Sequence, residues 1–489
     1  MRGVAQRPRL IDKSADPYRG MQLRGRWNFS WGLVACAGFF GVVLPMIVRR
    51  RWLRLKVRAR KVRRRCEHKE MLAQVPSVCL RYGLSPRGFL PSFCLERLPD
   101  EFQRWEDLAD RLVELNRNGG LKQAVDTLPH IDPQCLEGAG KEVLQRAFLL
   151  LGAFAHSYIH GSAVPWYQLK QSGDHVERDG PGPSGSAPTL PSQLAEPWLQ
   201  VCAQLGMPPV LTAAATDLWN WRLRDSSGPF VLENLDQRVS LTGTSTERAF
   251  HMVPCAMQAA ASKVVPKVFL ADLLVRADCD EELGDLLLEV ADVLRQFQRL
   301  FQQIPGSVDK DVFYDVYRPL LNGFHPDGVI LEVSPRRVDK SLACSVPHVT
   351  NLDQTGFLNS SKGPSAGQST VILLLDVFLA ISHTGPGVTF QEEMLTYMPA
   401  EHRQMVLDFR QRWQDLDPLP TLLERKRTAR NPFAEHLQEA YDECVGVLCG
   451  LRRLHLSTVT TYLVRTSTGT GATTWRTLLQ NMLSATSVR

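Results

Sequence analysis

Between Asn431 and Tyr462 apolar side chains return every three or four residues: Leu437, Tyr441, Cys444, Leu448, Leu451, His455, Val459 and Tyr462. That spacing draws one stripe along an α-helix, with Glu435, Glu439 and Glu443 on another face. Asn431 is a fitting N-cap, and Pro432 at the first helical position wastes no amide. At 1.5 Å per residue the helix is roughly 45 Å long. A rod of that length with one apolar stripe demands other helices to cover it. The rest of the chain is also mostly helical in pattern. Helices are predicted over Glu101–Asn118, Lys141–Ile159, Ala195–Leu205, Pro209–Trp221, Phe250–Leu274, Asp280–Gln303, Asp311–Leu321, Thr370–Ile381 and Pro399–Asp415. No strand–helix alternation, internal repeat or phosphate-loop glycine motif interrupts them. The expectation is an all-α fold in two domains, a small one over 71–205 and a larger one over 206–489. A Gly/Pro/Ser-rich insertion at 171–192 reads as exposed loop, and Arg336–Ser369 as a long irregular segment.

Charge is unevenly placed. The 489 residues carry +6, but the first 65 hold 18 Lys/Arg against two acids, which leaves −10 on the remainder. An acidic body argues against nucleic acid as a partner. Eleven cysteines without a CxxC pair read as reduced thiols, not as a zinc site or disulfide framework. Residues 1–26 form a basic tail. The 22 residues from Trp27 to Val48 carry no charge, and Arg49–Arg65 then holds 11 Lys/Arg in 17. This is the pattern of a membrane anchor at 27–48 with a basic juxtamembrane segment at 49–70, so that residues 27–65 meet the bilayer and the body faces the cytosol. An organelle-targeting segment is the alternative, because residues 1–26 are basic and poor in acids.

Three places hold residues suited to chemistry. His455 lies within the apolar stripe and points inward. An inward imidazole is either a core histidine bonded to a carbonyl or a metal ligand. Asp376 stands alone in the apolar run Val371–Ile381 and needs a cationic partner, for which Arg452 is the candidate. Phe313 and Tyr317 share a helical face beside Arg318. Aromatic rings next to a guanidinium suit an aromatic amino acid, and a solvated arginine on an amphipathic helix is the plain alternative. Gly363–Thr370 is a small-residue turn that permits close backbone approach to a flat ligand. Gly363-Pro-Ser365-Ala-Gly367 also fits the letters of a hydrolase nucleophile elbow, but lacks the preceding strand.

Together these stretches resemble the indoleamine 2,3-dioxygenase family of haem enzymes. The matching runs are Gly363–Thr370 (GPSAGQST), Tyr397–Arg403 (YMPAEHR), Ala440–Cys444 (AYDEC), Leu451–Tyr462 (LRRLHLSTVTTY) and Gly469–Thr473 (GTGAT). Phe313–Gly323, Pro208–Trp221 and Glu247–Val253 match more weakly. The resemblance runs from about Tyr82 to the end of the chain. It implies two helical domains with haem b between them and insertion of O2 across the indole 2,3 bond of L-tryptophan or a related indoleamine, giving N-formylkynurenine. It implies His455 as the proximal iron ligand, with Arg452 and Asp376 near the propionate side and Phe250 also beside the cofactor. Phe313 and Arg318 match the residues that pack on the indole and bind the carboxylate. Ser365 and Ala366 match the loop over the haem, Thr470 the mobile loop that contacts substrate, and the implied state is a monomer. The chain also departs from the family. Pro254 falls where a distal Ser or His is usual, with His251 three residues earlier. Ala214 or its neighbour replaces an aromatic of the substrate pocket, with Thr216 nearby. The link from the proximal helix to GTGAT is short, and the apolar run at 27–48 has no family counterpart. The competing expectations are a haem-binding relative with other chemistry or a sensing role, and a non-enzymatic membrane-associated helical protein.

Overall fold

The computed structural model describes residues 75–161, 187–324, 326–334, 346–350, 356–466, 468–469 and 474–487, all within the compact unit His68–Arg489. The anchor at 27–48, its flanking segments, most of the 171–192 insertion and Thr470 lie outside the described residues. Among the described residues no helix is long and apolar enough to cross a membrane.

Helices dominate, as the periodicity predicts. They are α1 (Gln103–Asp110), α2 (Leu112–Asn118), α3 (Leu121–Asp126), α4 (Lys141–His160), α5 (Ser192–Leu205), α6 (Ser245–Ala260), α7 (Val265–Arg276), α8 (Asp280–Phe301), α9 (Thr370–Phe378), α10 (Pro386–Leu395), α11 (Ala400–Gln414), α12 (Leu419–Thr428), α13 (Ala434–Tyr462) and α14 (Trp475–Ser487). Every residue of α4 from Leu144 to Ser157 is buried, which makes it a central helix covered on all sides. One core cluster runs from Tyr82 to Leu478 and takes side chains from both sides of residue 205.

The long rod α13 pairs chiefly with α8. Three contacts give the direction. A Cβ on Gly284 would strike the His436 ring, the Gln298 amide donates to the Val447 carbonyl at 2.8 Å, and Phe301 meets His455 edge-on at 5.7 Å. Both helices advance together, so the pair is parallel. A parallel pair needs a long return connection, and residues 302–433 provide it. The N-terminus of α13 differs from the expected one. Asn431 accepts the Phe433 amide and donates to Asp280 at 2.7 Å, so it closes a turn ahead of the helix that starts at Ala434.

Several other boundaries also shift for local reasons. Glu101–Asn118 breaks at Arg111 into α1 and α2. Phe250–Leu274 breaks at a 3-10 turn, Ala261–Lys263, and restarts with Pro266 in the first turn of α7, where its missing N–H is harmless. Pro209–Trp221 is not an ordinary helix. It holds one π turn, Ala214–Leu218, and then enters β2 (Trp221–Leu223), antiparallel to β3 (Leu235–Gln237). Asn220 holds this corner, bonding the Val239 amide and carbonyl at 2.8 Å each. Asp311–Leu321 likewise begins as a π turn, Val312–Tyr317.

The irregular segments contribute a small sheet that periodicity did not foresee. β1 (Thr189–Leu190) pairs in parallel with β4 (Val329–Leu331), and β4 and β5 (Val349–Thr350) each pair antiparallel with β6 (Gly356–Leu358). The end of the Gly/Pro/Ser-rich stretch is therefore ordered, as β1 and the first turn of α5. Strands of two or three residues are too short to show a period of two.

Candidate active site

α13 carries His455 on the stripe that faces α8. The ring is half-buried and meets the edge of Phe301. Burial, then the nearby Arg452 charge, pushes its pKa down to about 4, which leaves a neutral imidazole at ordinary pH. Among the described residues no hydrogen bond to either ring nitrogen occurs, and neither nitrogen is sealed away from solvent-sized space. A core histidine of the plain kind is bonded, as His156 is to the Leu320 carbonyl and the Leu211 amide. His455 instead offers a neutral ring nitrogen with no protein partner among the described residues and room beside it, which is the kind of donor a haem iron takes. Among the described residues no cluster of three His, Cys, Asp or Glu forms a protein-only metal site.

Asp376 and Arg452 meet, as their isolation in apolar runs predicts. Arg452 Nη2 donates to Asp376 Oδ1 at 2.5 Å, with both side chains buried. The other carboxylate oxygen accepts from His383 Nε2 and Gln391 Nε2, each at 2.9 Å. Arg452 Nη1 bonds Thr486 on α14. His383, Gln391 and Thr486 were not foreseen, since ordinary polar residues in loops and on solvated faces carry no signal of their own. This network lies one turn before His455 on α13 and ties α9, α10, α13 and α14 together.

Two turns beyond His455, roughly 10 Å along the axis, Tyr462 reaches the aromatic group. Its ring stands edge-on to Phe313 at 5.8 Å, and its hydroxyl donates to the Val308 carbonyl at 2.7 Å. Phe313 packs against Phe250 of α6 with ring centroids 4.8 Å apart. Phe313 is buried and Phe250 half-buried. Arg318 is buried. Its guanidinium lies 5.5 Å over the Tyr314 ring and donates to the Thr468 carbonyl at 2.8 Å. The fold thus brings Arg318 to Thr468, the residue just before the GTGAT segment, 150 positions away in sequence.

The Gly363–Thr370 turn is pinned to the same region. Gln368 Oε1 accepts the Ala213 amide at 2.8 Å, and Gln258 of α6 donates to Ser369 Oγ at 2.9 Å. Ser365 is half-buried and its hydroxyl accepts the Gly367 amide at 3.3 Å, while Ala366 is exposed. Gly363 is required where it stands, because a Cβ there would fall on the Leu321 carbonyl oxygen. Ser365 caps a 3-10 turn, Ala366–Gln368, and among the described residues no histidine bonds it, so a nucleophile elbow is not built.

The departures also find places. Pro254 sits inside α6, and His251, one turn earlier, is buried and bonded to Asp217 and Tyr317. Ala214 and Thr216 belong to the buried π turn, and Thr216 Oγ1 donates to Asp217 Oδ1 at 2.9 Å. Asp217 escaped notice, although a lone acid in Thr212–Trp221 gives the same kind of signal as Asp376.

The fold and site define a helical protein that presents from one long helix an imidazole with no hydrogen-bond partner among the described residues and, two turns on, a contact to an aromatic cluster next to a buried guanidinium. A family model for indoleamine 2,3-dioxygenase matches residues 79–487, and the chain belongs to that family. Rat indoleamine 2,3-dioxygenase 1 is 31% identical over 392 residues, covering 78% of this chain and 83% of its own. A 6-hydroxytryptophan 2,3-dioxygenase of Fusarium equiseti is 29% identical, covering 78% and 84%. Human indoleamine 2,3-dioxygenase 2 is 27% identical, covering 80% and 85%.

Proposed function

We propose that this chain is a haem dioxygenase that opens the indole 2,3 bond of L-tryptophan, or of a closely related indoleamine, to give N-formylkynurenine. The observation that carries the reading is His455, an imidazole with no hydrogen-bond partner among the described residues, on the helix whose later turns meet Phe313 through Tyr462. The reaction needs no net electrons. Both oxygen atoms of O2 end in the product, one on each of the former C2 and C3. Bound haem b supplies the activation of O2.

The protein's own groups bind and orient. His455 would hold the iron of the bound haem, and Arg452, fixed by Asp376, would serve its propionate side. Phe313 packs on the indole, Phe250 lies beside the cofactor, and Arg318 takes the substrate carboxylate with its planar fork. By the family resemblance Ser365 and Ala366 would belong to the loop facing the cofactor, and Thr470 would contact substrate. No strong base is needed when the indole itself is the nucleophile. The relative from Fusarium equiseti is named for 6-hydroxytryptophan, so a ring-hydroxylated substrate belongs in the first panel tested. Residues 27–65 tether a monomeric body to a membrane with the body in the cytosol, or target it to an organelle.

Purified protein should show a Soret band, and His455→Ala should abolish it or convert the ferrous spectrum. Full haem content and an unchanged spectrum in that variant would remove His455 as the ligand. Under reducing, aerobic conditions the holoprotein should form N-formylkynurenine from L-tryptophan, read at the product's absorbance. No product at millimolar tryptophan would sink the reading.

A further inference from the structure

Behind the aromatic pocket lies a buried polar chain that the family reaction does not call for. Thr216 Oγ1 and His251 Nδ1 both contact Asp217 Oδ1, at 2.9 and 2.6 Å, and His251 Nε2 bonds the Tyr317 hydroxyl. His251 and Tyr317 are buried and Asp217 is half-buried. The direction of the chain follows from its chemistry. An ionised carboxylate only accepts, so the imidazole proton is on Nδ1. In the tautomer that leaves Nε2 bare, that nitrogen accepts and Tyr317 donates. Burial, then the Glu247 and Asp217 charges, holds the Tyr317 phenol well above its ordinary pKa, which keeps that proton in place.

Tyr317 is buttressed at its other edge by the pocket rings. It stands edge-on to Phe250 at 6.1 Å and to Phe313 at 6.5 Å, and His251 itself meets Phe250 at 5.2 Å. Three rings and one imidazole therefore interlock, and only Phe250 among them retains a partly open face. A leucine or phenylalanine would fill this space without desolvating an acid, an imidazole and a phenol. A satisfied polar chain costs stability compared with an apolar filling but permits a single arrangement.

We propose that Asp217, His251 and Tyr317 are positioning residues for substrate. Asp217 sets the His251 tautomer, His251 fixes the Tyr317 ring, and Tyr317 holds in place Phe313 and its neighbour Phe250, the ring with the open face. The proposal rests on the functional reading above for what the pocket binds. The buried Tyr317 does not itself contact substrate.

The test uses the full-length holoprotein with Tyr317→Phe, Asp217→Ala and the double variant. Tyr317→Phe keeps the ring and removes the O–H. Each single change should leave haem content and the Soret maximum unchanged. Each should weaken L-tryptophan binding, read by Soret perturbation, about five- to tenfold, the worth of one or so hydrogen bonds. The double variant should be no weaker than Tyr317→Phe alone, because both changes release the same ring. The imidazole 15N signals of His251 should show the proton on Nδ1, with Nε2 shifting on Tyr317→Phe. Unchanged affinity in the single variants, additive losses in the double, or a proton on Nε2 would overturn the proposal. An unmodified protein with no Soret band, or no response to tryptophan, would overturn the functional reading instead. The 15N signals would still decide whether the hydrogen-bond chain exists.

Discussion

Asp376 is the residue whose loss should be felt most. Its carboxylate accepts from Arg452, His383 and Gln391, and the guanidinium it neutralises is buried. Removing one partner of a buried pair leaves the other charge uncompensated, at a cost of about 3–5 kcal/mol. Asp376→Ala should therefore lower the urea midpoint by that equivalent with the slope unchanged. A change under 1 kcal/mol would mean that Arg452 finds water or another acceptor. The residue-level reasoning from sequence was strong for this pair, because a charge alone in an apolar run must be answered by another. It was weak for Asp217, His251 and Tyr317, whose hydrogen bonds span 34 and 66 positions. Asp217 alone stands out locally, as an acid in an apolar stretch, and no local pattern marks His251 and Tyr317 as its partners.

Elements show where the pocket gets its rigidity. The second turn of α6 carries Phe250 and His251, close behind a dense cap. Thr244 accepts the Glu247 amide, and the Glu247 carboxylate accepts from Ser240 Oγ at 2.6 Å, the Leu241 and Thr242 amides at 2.7 Å and Thr242 Oγ1 at 2.6 Å. Thr244 is the N-cap, and the Glu247 carboxylate reaches past it to donors of the preceding turn instead of closing the usual capping box. Glu247→Ala orphans several of them and should cost roughly 3 kcal/mol at about 1 kcal/mol per lost bond. It should also weaken tryptophan binding, since α6 then frays toward Phe250. Calorimetry and Soret titration check the two effects separately, and a variant as stable as the parent would show the cap to be redundant. At the neighbouring turn, Gly363→Ala drives a methyl into the Leu321 carbonyl. Backbone cannot swing aside as a side chain can, so a loss of roughly 3 kcal/mol is expected, read from the thermal midpoint.

Across the whole molecule, buried histidines make stability depend on pH. Burial, with the His160 charge second, holds His156 at about 3, and burial, with Lys141 second, holds His402 at about 3. Both sit far below the ordinary value of about 6.5. The unfolded chain therefore binds these protons first as pH falls. The stability they allow is complete above about pH 6.5 and declines below it, approaching 1.4 kcal/mol per pH unit for each histidine. Denaturant midpoints should fall between pH 6.5 and 5, and His402→Phe, packed in place against Phe89, should flatten that slope. An unchanged slope would place the proton uptake elsewhere.

The helical body and its long rod α13 were legible from periodicity, and so were the inward aim of His455 and the pairing of Asp376 with Arg452. These depend on a repeat of 3.6 residues and on the cost of a lone buried charge, both of which a chain displays locally. The family was legible from the order of its motifs. What only tertiary structure decided was how distant pieces meet. α8 and α13 run parallel across a return of more than a hundred residues, and two-residue strands find partners from three segments. The Asp217–His251–Tyr317 chain closes behind Phe250. Each depends on contacts between segments whose own sequences carry no period that points to the partner. Packing the whole core is what selects them.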